Sequence, residues 1–253
     1  MTSSYVFGKN SVKLLLQSNP ARVFKIFLAE GLKSDKRLDA ILELARQHKK
    51  PVVTSPRQKL DQMIADIPDS SHQGVIASVA PKELLSLNQL IEQCQPALQN
   101  NQNPVLLMLD GITDPRNFGA ILRTCDAVGV SGVIITKHDS AGFGPVVAKT
   151  ASGAEETVSI AVVSNLNNAI DQLKKSNFWI VGAAGEEDKA IDYFKQDFKM
   201  PVVLVLGSEG EGLKSLVRKN CDLLVKIPMH GSVESLNVSV AAGVLLYAIR
   251  QPR

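Results

Sequence analysis

Leu206-Gly-Ser-Glu-Gly-Glu-Gly-Leu213, followed closely by Ile227-Pro-Met-His-Gly-Ser-Val-Glu-Ser-Leu-Asn-Val-Ser-Val-Ala241, decides the architecture of this 253-residue chain. An apolar run, residues 202–206, enters the first glycine-rich turn, and a second run, residues 223–227, enters the other. The second turn opens an apolar helix over residues 238–249. Two strand ends with loops of this kind form a crevice at the edge of a parallel sheet, where α/β proteins bind ligands.

Working outward, the same alternation extends back to Val105. Apolar strands are predicted at residues 105–109, 133–136, 158–163 and 179–183 besides the two above, with helices over 119–127 and 167–174. Strands that are apolar throughout, rather than at alternate positions, are those covered on both faces of a parallel sheet. Residues 1–80 alternate on a smaller scale. Asn10 is expected to cap a helix over residues 10–17, and Leu38, Ile41, Leu42 and Ala45 recur at helical spacing,. Pro81, Pro96 and Gln99-Asn-Asn-Gln-Asn103 break the pattern around one weak helix, so residues 81–103 read as a linker between domains at 1–80 and 104–253,.

Composition bounds the function. A hydrophobic content of 45% against 21% charge excludes a disordered chain,. No apolar run approaches the ~18 residues of a membrane span, and the N-terminus shows no secretory pattern,. Cys94, Cys125 and Cys221 are too few and too scattered for a disulfide framework or a zinc cluster, and the four histidines lack metal spacing,. A cytoplasmic protein without metal is expected. Residues 1–80 hold 12 Lys/Arg against 7 Asp/Glu, and the remainder 16 against 18. The front is therefore basic by five charges, which reads as a polyanion-facing module or as an ordinary solvated lysine surface.

The hexapeptide Gly207-Ser-Glu-Gly-Glu-Gly212 is neither a phosphate cradle, which needs a lysine after its last glycine, nor a convincing dinucleotide fingerprint,. Glu209 and Glu211 would repel pyrophosphate but tolerate a cationic ligand. A plain turn shaping a helix start is the alternative for the hexapeptide alone. Ser235 and Asn237 read as caps for the helix that follows, and Asn117, after Asp114-Pro115, as a cap for the helix it precedes,. Taken alone, Arg123 is an ordinary surface salt-bridge partner.

Together with Asp110-Gly-Ile-Thr-Asp-Pro-Arg-Asn-Phe-Gly-Ala-Ile-Leu-Arg123, these segments resemble the three signature motifs of the SpoU (TrmH) family of RNA ribose 2′-O-methyltransferases. The resemblance implies a SPOUT-type α/β domain whose C-terminal segment threads a deep trefoil knot, preceded by a small L30e-like α/β domain for RNA. It implies S-adenosylmethionine as methyl donor, held by Gly207, Ile227 and Leu236 with Ala183 and Met229 lining the same pocket. Asn117, Arg123, Glu209, Ser235 and Asn237 match the family's polar site residues. The implied substrate is a guanosine ribose of 23S rRNA, in the peptidyl-transferase P loop, with a tRNA ribose as the alternative. It also implies a homodimer packed through the C-terminal helix, where Val244 and Leu246 are expected to meet the second copy. A non-catalytic RNA-binding protein and a nucleotide-binding oxidoreductase are the readings from other classes.

Overall fold

The computed structural model describes residues 4–65, 67, 71–185 and 189–251. Residues 1–3 and 252–253 lie outside the described residues. Along the chain come β1 (Ser4–Phe7), α1 (Lys9–Ser18), β2 (Val23–Ala29), α2 (Lys36–Gln47), β3 (Val52–Ser55), α3 (Arg57–Met63) and β4 (Val75–Val79). Then follow α4 (Leu87–Gln99), β5 (Val105–Asp110), α5 (Pro115–Val128), β6 (Gly132–Thr136), α6 (Pro145–Ala151), α7 (Ala154–Thr157) and β7 (Ile160–Val163). The remainder is α8 (Leu166–Lys175), β8 (Trp179–Ala183), β9 (Ile191–Asp192), β10 (Val202–Gly207), α9 (Ser215–Lys219), β11 (Leu223–Lys226) and α10 (Val238–Arg250). These elements form two compact units, residues 1–83 with 143–157, and residues 84–142 with 158–253.

In the first unit the sheet order is β1-β4-β2-β3, with β4 antiparallel to both neighbours and β3 parallel to β2. Asp35 caps α2 by accepting from the amides of Arg37 and Leu38, which aims Leu38, Ile41 and Ala45 at the sheet. They meet Val12, Leu15 and Leu16 of α1 over Ile26 and Ala77. The expected cap at Asn10 is corrected: α1 begins at Lys9, after Gly8, and no side chain caps it. The backbone amide of Lys9 is instead taken by the Gln73 side chain. The helices α6 and α7, invisible in the hydropathy pattern, belong to this unit. Arg22 pairs with Glu156, and Lys82 donates to the Glu155 carbonyl. Both partners of the Arg22–Glu156 pair are largely buried.

In the second unit all seven strands are parallel, in the order β7-β6-β5-β10-β8-β11-β9. Every residue of β5 is buried, as is β10 up to Leu206. The stretch read as a linker around a weak helix contains α4, thirteen residues long and closed by a capping box between Ser86 and Gln89,. Leu87, Leu90, Ile91 and Cys94 of α4 lie in the core beside Leu106, Met108 and Ile134. Leu90 packs so closely on Gly132 that a methyl group there would fall 2.4 Å from Leu90 Cδ1. Helix α10 packs against α5 and β10.

The covering expected around α10 is incomplete within the chain, because Val240 and Tyr247 are 51% and 55% exposed. Leu246, expected to face a second copy, has no exposed surface and is core of its own chain. Trp179 opens β8 half exposed. No described helix is long and apolar enough to cross a membrane. Because α4 is core rather than tether, Leu90→Ala should lower the unfolding free energy of the second unit by about 2–5 kcal/mol, measured by urea denaturation.

Candidate active site

Parallel pairing brings the carboxyl ends of β5, β10, β8 and β11 to one edge of the sheet. Gly207, the last residue of β10, lies opposite Asp110, the last of β5. On the other flank Val205 pairs with Gly182, and Val225 of β11 with Ala183. Gly207, Ala183 and Ile227 therefore stand at or just past three adjacent strand ends. All three are half-buried, as are Met229 and Leu236 in the segment leading to α10.

The turn after β10 closes on itself. The Gly212 amide donates to the Ser208 carbonyl at 3.0 Å, forming a bridge across the loop. A side chain at position 207 would place its first carbon 2.1 Å from the carbonyl carbon of Gly212, so only glycine fits,. Beyond the loop, the Lys214 amide donates to Asp110 Oδ2 at 2.9 Å, and the Lys214 ammonium bonds Asp139 at 2.9 Å. The bond to Lys214 holds the Asp139 carboxyl below its ordinary pKa, and Asp139 in turn holds the ammonium above its own. Asp110 is only 2% exposed, and the sequence reading assigned it no role. Its signal is a lone carboxylate ending an otherwise apolar strand, a position that demands a partner.

Asn117 does not cap α5. Asp114 does, accepting from the amides of Arg116 and Asn117 at 2.6 and 2.9 Å, with Pro115 in the first helical position,. The Asn117 side chain is thereby released to reach across. Its Nδ2 donates to Glu209 Oε1 at 3.1 Å, and its Oδ1 accepts from Asn237 Nδ2 at 3.0 Å. Asn237 Nδ2 also donates to Glu209 Oε1, and the Val238 amide approaches the same oxygen at 3.4 Å. Asn237 Oδ1 meanwhile accepts from the Ser239 amide at 3.0 Å, capping α10. Asn237 therefore both caps α10 and joins Asn117 to Glu209, and Glu209 puts its negative charge at the amino end of a thirteen-residue helix,.

Two expected site residues stand apart. Ser235 is exposed and hydrogen-bonds none of the described residues. Arg123 lies six residues beyond Asn117 on α5, about 9 Å further along the helix axis. It is exposed, on the same stripe as Arg116, and forms no ion pair among the described residues. The geometry offers a fixed polar triad, Asn117, Glu209 and Asn237, beside half-buried apolar residues and exposed strand-end backbone. Among the described residues, no group of three or more His, Cys, Asp or Glu side chains could hold a metal ion.

Comparison with known proteins gives the family. The sequence profile of the SpoU rRNA Methylase family matches residues 104–247, and that of RNA 2′-O ribose methyltransferase substrate binding matches residues 5–85. The chain is 43% identical over 250 residues to the 23S rRNA (guanosine-2′-O-)-methyltransferase RlmB of Pseudomonas putida, covering 97% of this chain and 96% of that one. Its identity to RlmB of Haemophilus influenzae is 43% over 252 residues, with 99% and 98% covered. Among solved structures, the SpoU methyltransferase AviRb from Streptomyces viridochromogenes, in complex with the cofactor AdoMet, superposes with a TM-score of 0.76. That likeness, at 24% identity over 98% of this chain and 89% of that one, concerns the fold. With three motifs meeting at one sheet edge and the two family profiles matching residues 104–247 and 5–85, the chain belongs to the SpoU rRNA methylase family and is a methyltransferase.

Proposed function

We propose that the chain methylates the 2′-hydroxyl of a guanosine ribose in 23S rRNA, in the peptidyl-transferase P loop, using S-adenosylmethionine. The observation that carries this reading is the hydrogen-bonded triad of Asn117, Glu209 and Asn237, one residue from each of the three motifs, together with near full-length likeness to proteins named for that reaction. Residues 1–80 would recognise the RNA and residues 104–253 bind the donor and catalyse, with residues 81–103 running between them and packing α4 into the core of the second unit. A cytoplasmic location follows from an rRNA substrate.

The residues present suit the donor. Gly207, Ile227 and Leu236 offer backbone groups, Ala183 and Met229 apolar walls, and Glu209 and Glu211 a negative surround that favours a sulfonium,. When bound, S-adenosylmethionine supplies an electrophilic methyl group and a neutral thioether leaving group. Asn117 and Asn237 orient the ribose, held in place by the Glu209 carboxylate they share. Arg123 forks onto a neighbouring phosphate and offsets negative charge developing on the 2′-oxygen. Guanidinium groups keep their proton at ordinary pH, so Arg123 stabilises charge rather than acting as base, and the proton of the 2′-hydroxyl passes to solvent water as the oxygen takes the methyl group.

Two further elements belong to this proposal. The knot expected of the fold is supported by the path from β11, at the far side of β8, back to α10, which packs on α5 and β10 after Asn237 and Val238 bond Glu209 of the preceding loop. A homodimer is supported by the exposed α10 stripe of Val240 and Tyr247, with half-buried Val244 between them.

Methyl transfer from radiolabelled donor to 23S rRNA tests the activity, and absence of label would overturn it. Arg123→Ala should lose about 10²–10³-fold in turnover while binding donor normally, and Arg123→Lys should recover part of the rate without altering the shape of the pH–rate profile. A new ionisation in the lysine variant would instead make this position the base. Gly207→Ala should weaken donor binding at least about tenfold by calorimetry, an effect above ~1.4 kcal/mol, because the loop cannot close on Gly212,. In sedimentation, Tyr247→Asp should yield a folded monomer. A dimer unaffected by that charge would place the interface elsewhere.

A further inference from the structure

The two faces of the first unit's sheet are used differently. Val6, Val23, Ile26, Ala77 and Val79 turn into the core beneath α1 and α2. The opposite face is covered over only part of its extent, where Phe7, Phe27, Ala29 and Ile76 pack with Leu60 and Ile64, in and just after α3. The rest of it is open. Register sets Tyr5, Ser78 and Lys25 side by side across β1, β4 and β2, and residues directly opposite one another share a face,. Tyr5 is 37% exposed, and Lys25 is exposed beside it. A bulge adds Phe24 to this row. Val23 pairs with Val79 and Lys25 with Ser78, so the residue between them has no partner. Val23 and Ile26 both face the core, which strict alternation forbids for residues three apart,. The extra residue absorbs the difference and leaves two consecutive side chains, Phe24 and Lys25, on the open side. Phe24 is 52% exposed.

The charge around these rings has one sign. The four strands hold no Asp or Glu, and Lys25 is their one cation. Its ammonium lies 5.9 Å from the centre of the Phe27 ring on the same face. Lys49 and Lys50 lead into β3, and Arg57 and Lys59 stand on α3, with no carboxylate in the chain between Lys49 and Lys59. Asp61, the next acidic residue, is engaged by His72 at 2.9 Å. A second copy of this face would set lysine against lysine. An acidic peptide would pair the lysines and leave the rings without flat partners. A base-paired helix offers phosphates, but its bases already stack on one another. Unpaired RNA brings both a polyanionic backbone and free π faces. The backbones of Tyr5 and Phe24 are two strand spacings apart, about 10 Å, so the rings take separate bases.

We propose that this open part of the sheet is a stacking platform for unpaired bases of the substrate RNA, with Tyr5 and Phe24 each taking a base and Lys25 a phosphate between them. The assignment rests on the reading of the chain as an RNA methyltransferase and names the surface of its front unit that holds the RNA. The probe is a short fluorescein-labelled single-stranded RNA of mixed sequence, titrated with the full-length protein beside the same RNA annealed to its complement. Phe24→Leu and Tyr5→Leu keep apolar bulk and lose the ring, and each should weaken single-strand binding about tenfold while leaving the duplex unaffected. Phe24→Tyr should restore it. A 2-aminopurine placed in the strand should lose fluorescence on binding, and lose less of it with Phe24→Leu. Lys25→Gln should lower the slope of log affinity against log salt by about one. Leu216→Ala, at an exposed apolar position of the second unit, should change none of these readouts. Single-strand binding indifferent to both rings, or equal losses for single strand and duplex, would overturn the platform. So would sedimentation in which Phe24→Leu dissociates a dimer, since the face would then join two copies. Methyl transfer to rRNA is scored separately. An inactive protein that still needs both rings for binding would count against the proposed reaction alone, and an active one indifferent to them against the platform alone.

Discussion

Three stretches of chain, separated by 92 residues on one side and 28 on the other, converge on one carboxylate oxygen of Glu209. Two asparagine amides and a helix amide surround it, and none of these donors comes from Glu209's own loop. Charge-assisted bonds of this kind are stronger than neutral ones. The same contacts orient Asn117 and Asn237, so the polar site and the closure of the fold around β10 are one structure. Asp110 plays a matching part from beneath. It is buried, and it ties the end of the glycine loop to the neighbouring strand through the Lys214 amide.

That convergence requires a rigid frame, which the parallel sheet supplies. With β10 between β5 and β8, the glycine loop rises between two other strand ends. Strands covered on both faces leave no water to compete for their ladders. The tight approach of Gly207 to Gly212 then shapes a loop whose backbone stays available to a ligand. A residue with a side chain there would have to move backbone rather than a flexible group, so the loop tolerates no compromise.

The boundary between the two units differs from a simple division of the chain. Residues 143–157 leave the second unit and pack with the first, where the buried Arg22–Glu156 pair anchors them. A fragment that begins after the front domain would strip this segment of its partners and expose ionisable groups adapted to burial. The first unit is thus a composite.

Sequence alone determined the class of fold and the strand ends that matter. Continuous apolar runs report two-sided burial whatever lies around them, and glycine-rich turns at their ends report tight closure. It also carried the motifs that give the family, and Asn117, Glu209 and Asn237 among the candidates. Other features depend on partners distant in the chain and were settled only in three dimensions. The choice of Asp114 over Asn117 as cap hinges on which side chain Glu209 claims. Helix α4 looked weak because its stability comes from Leu90 against Gly132 and the sheet, not from its own composition. Residues 143–157 have no strong hydropathy period, since ion pairs and backbone packing hold them. Tyr5 and its neighbours became a strand only by pairing with β4. Local pattern encodes what each residue must hide, whereas the identity of whatever hides it belongs to the tertiary structure.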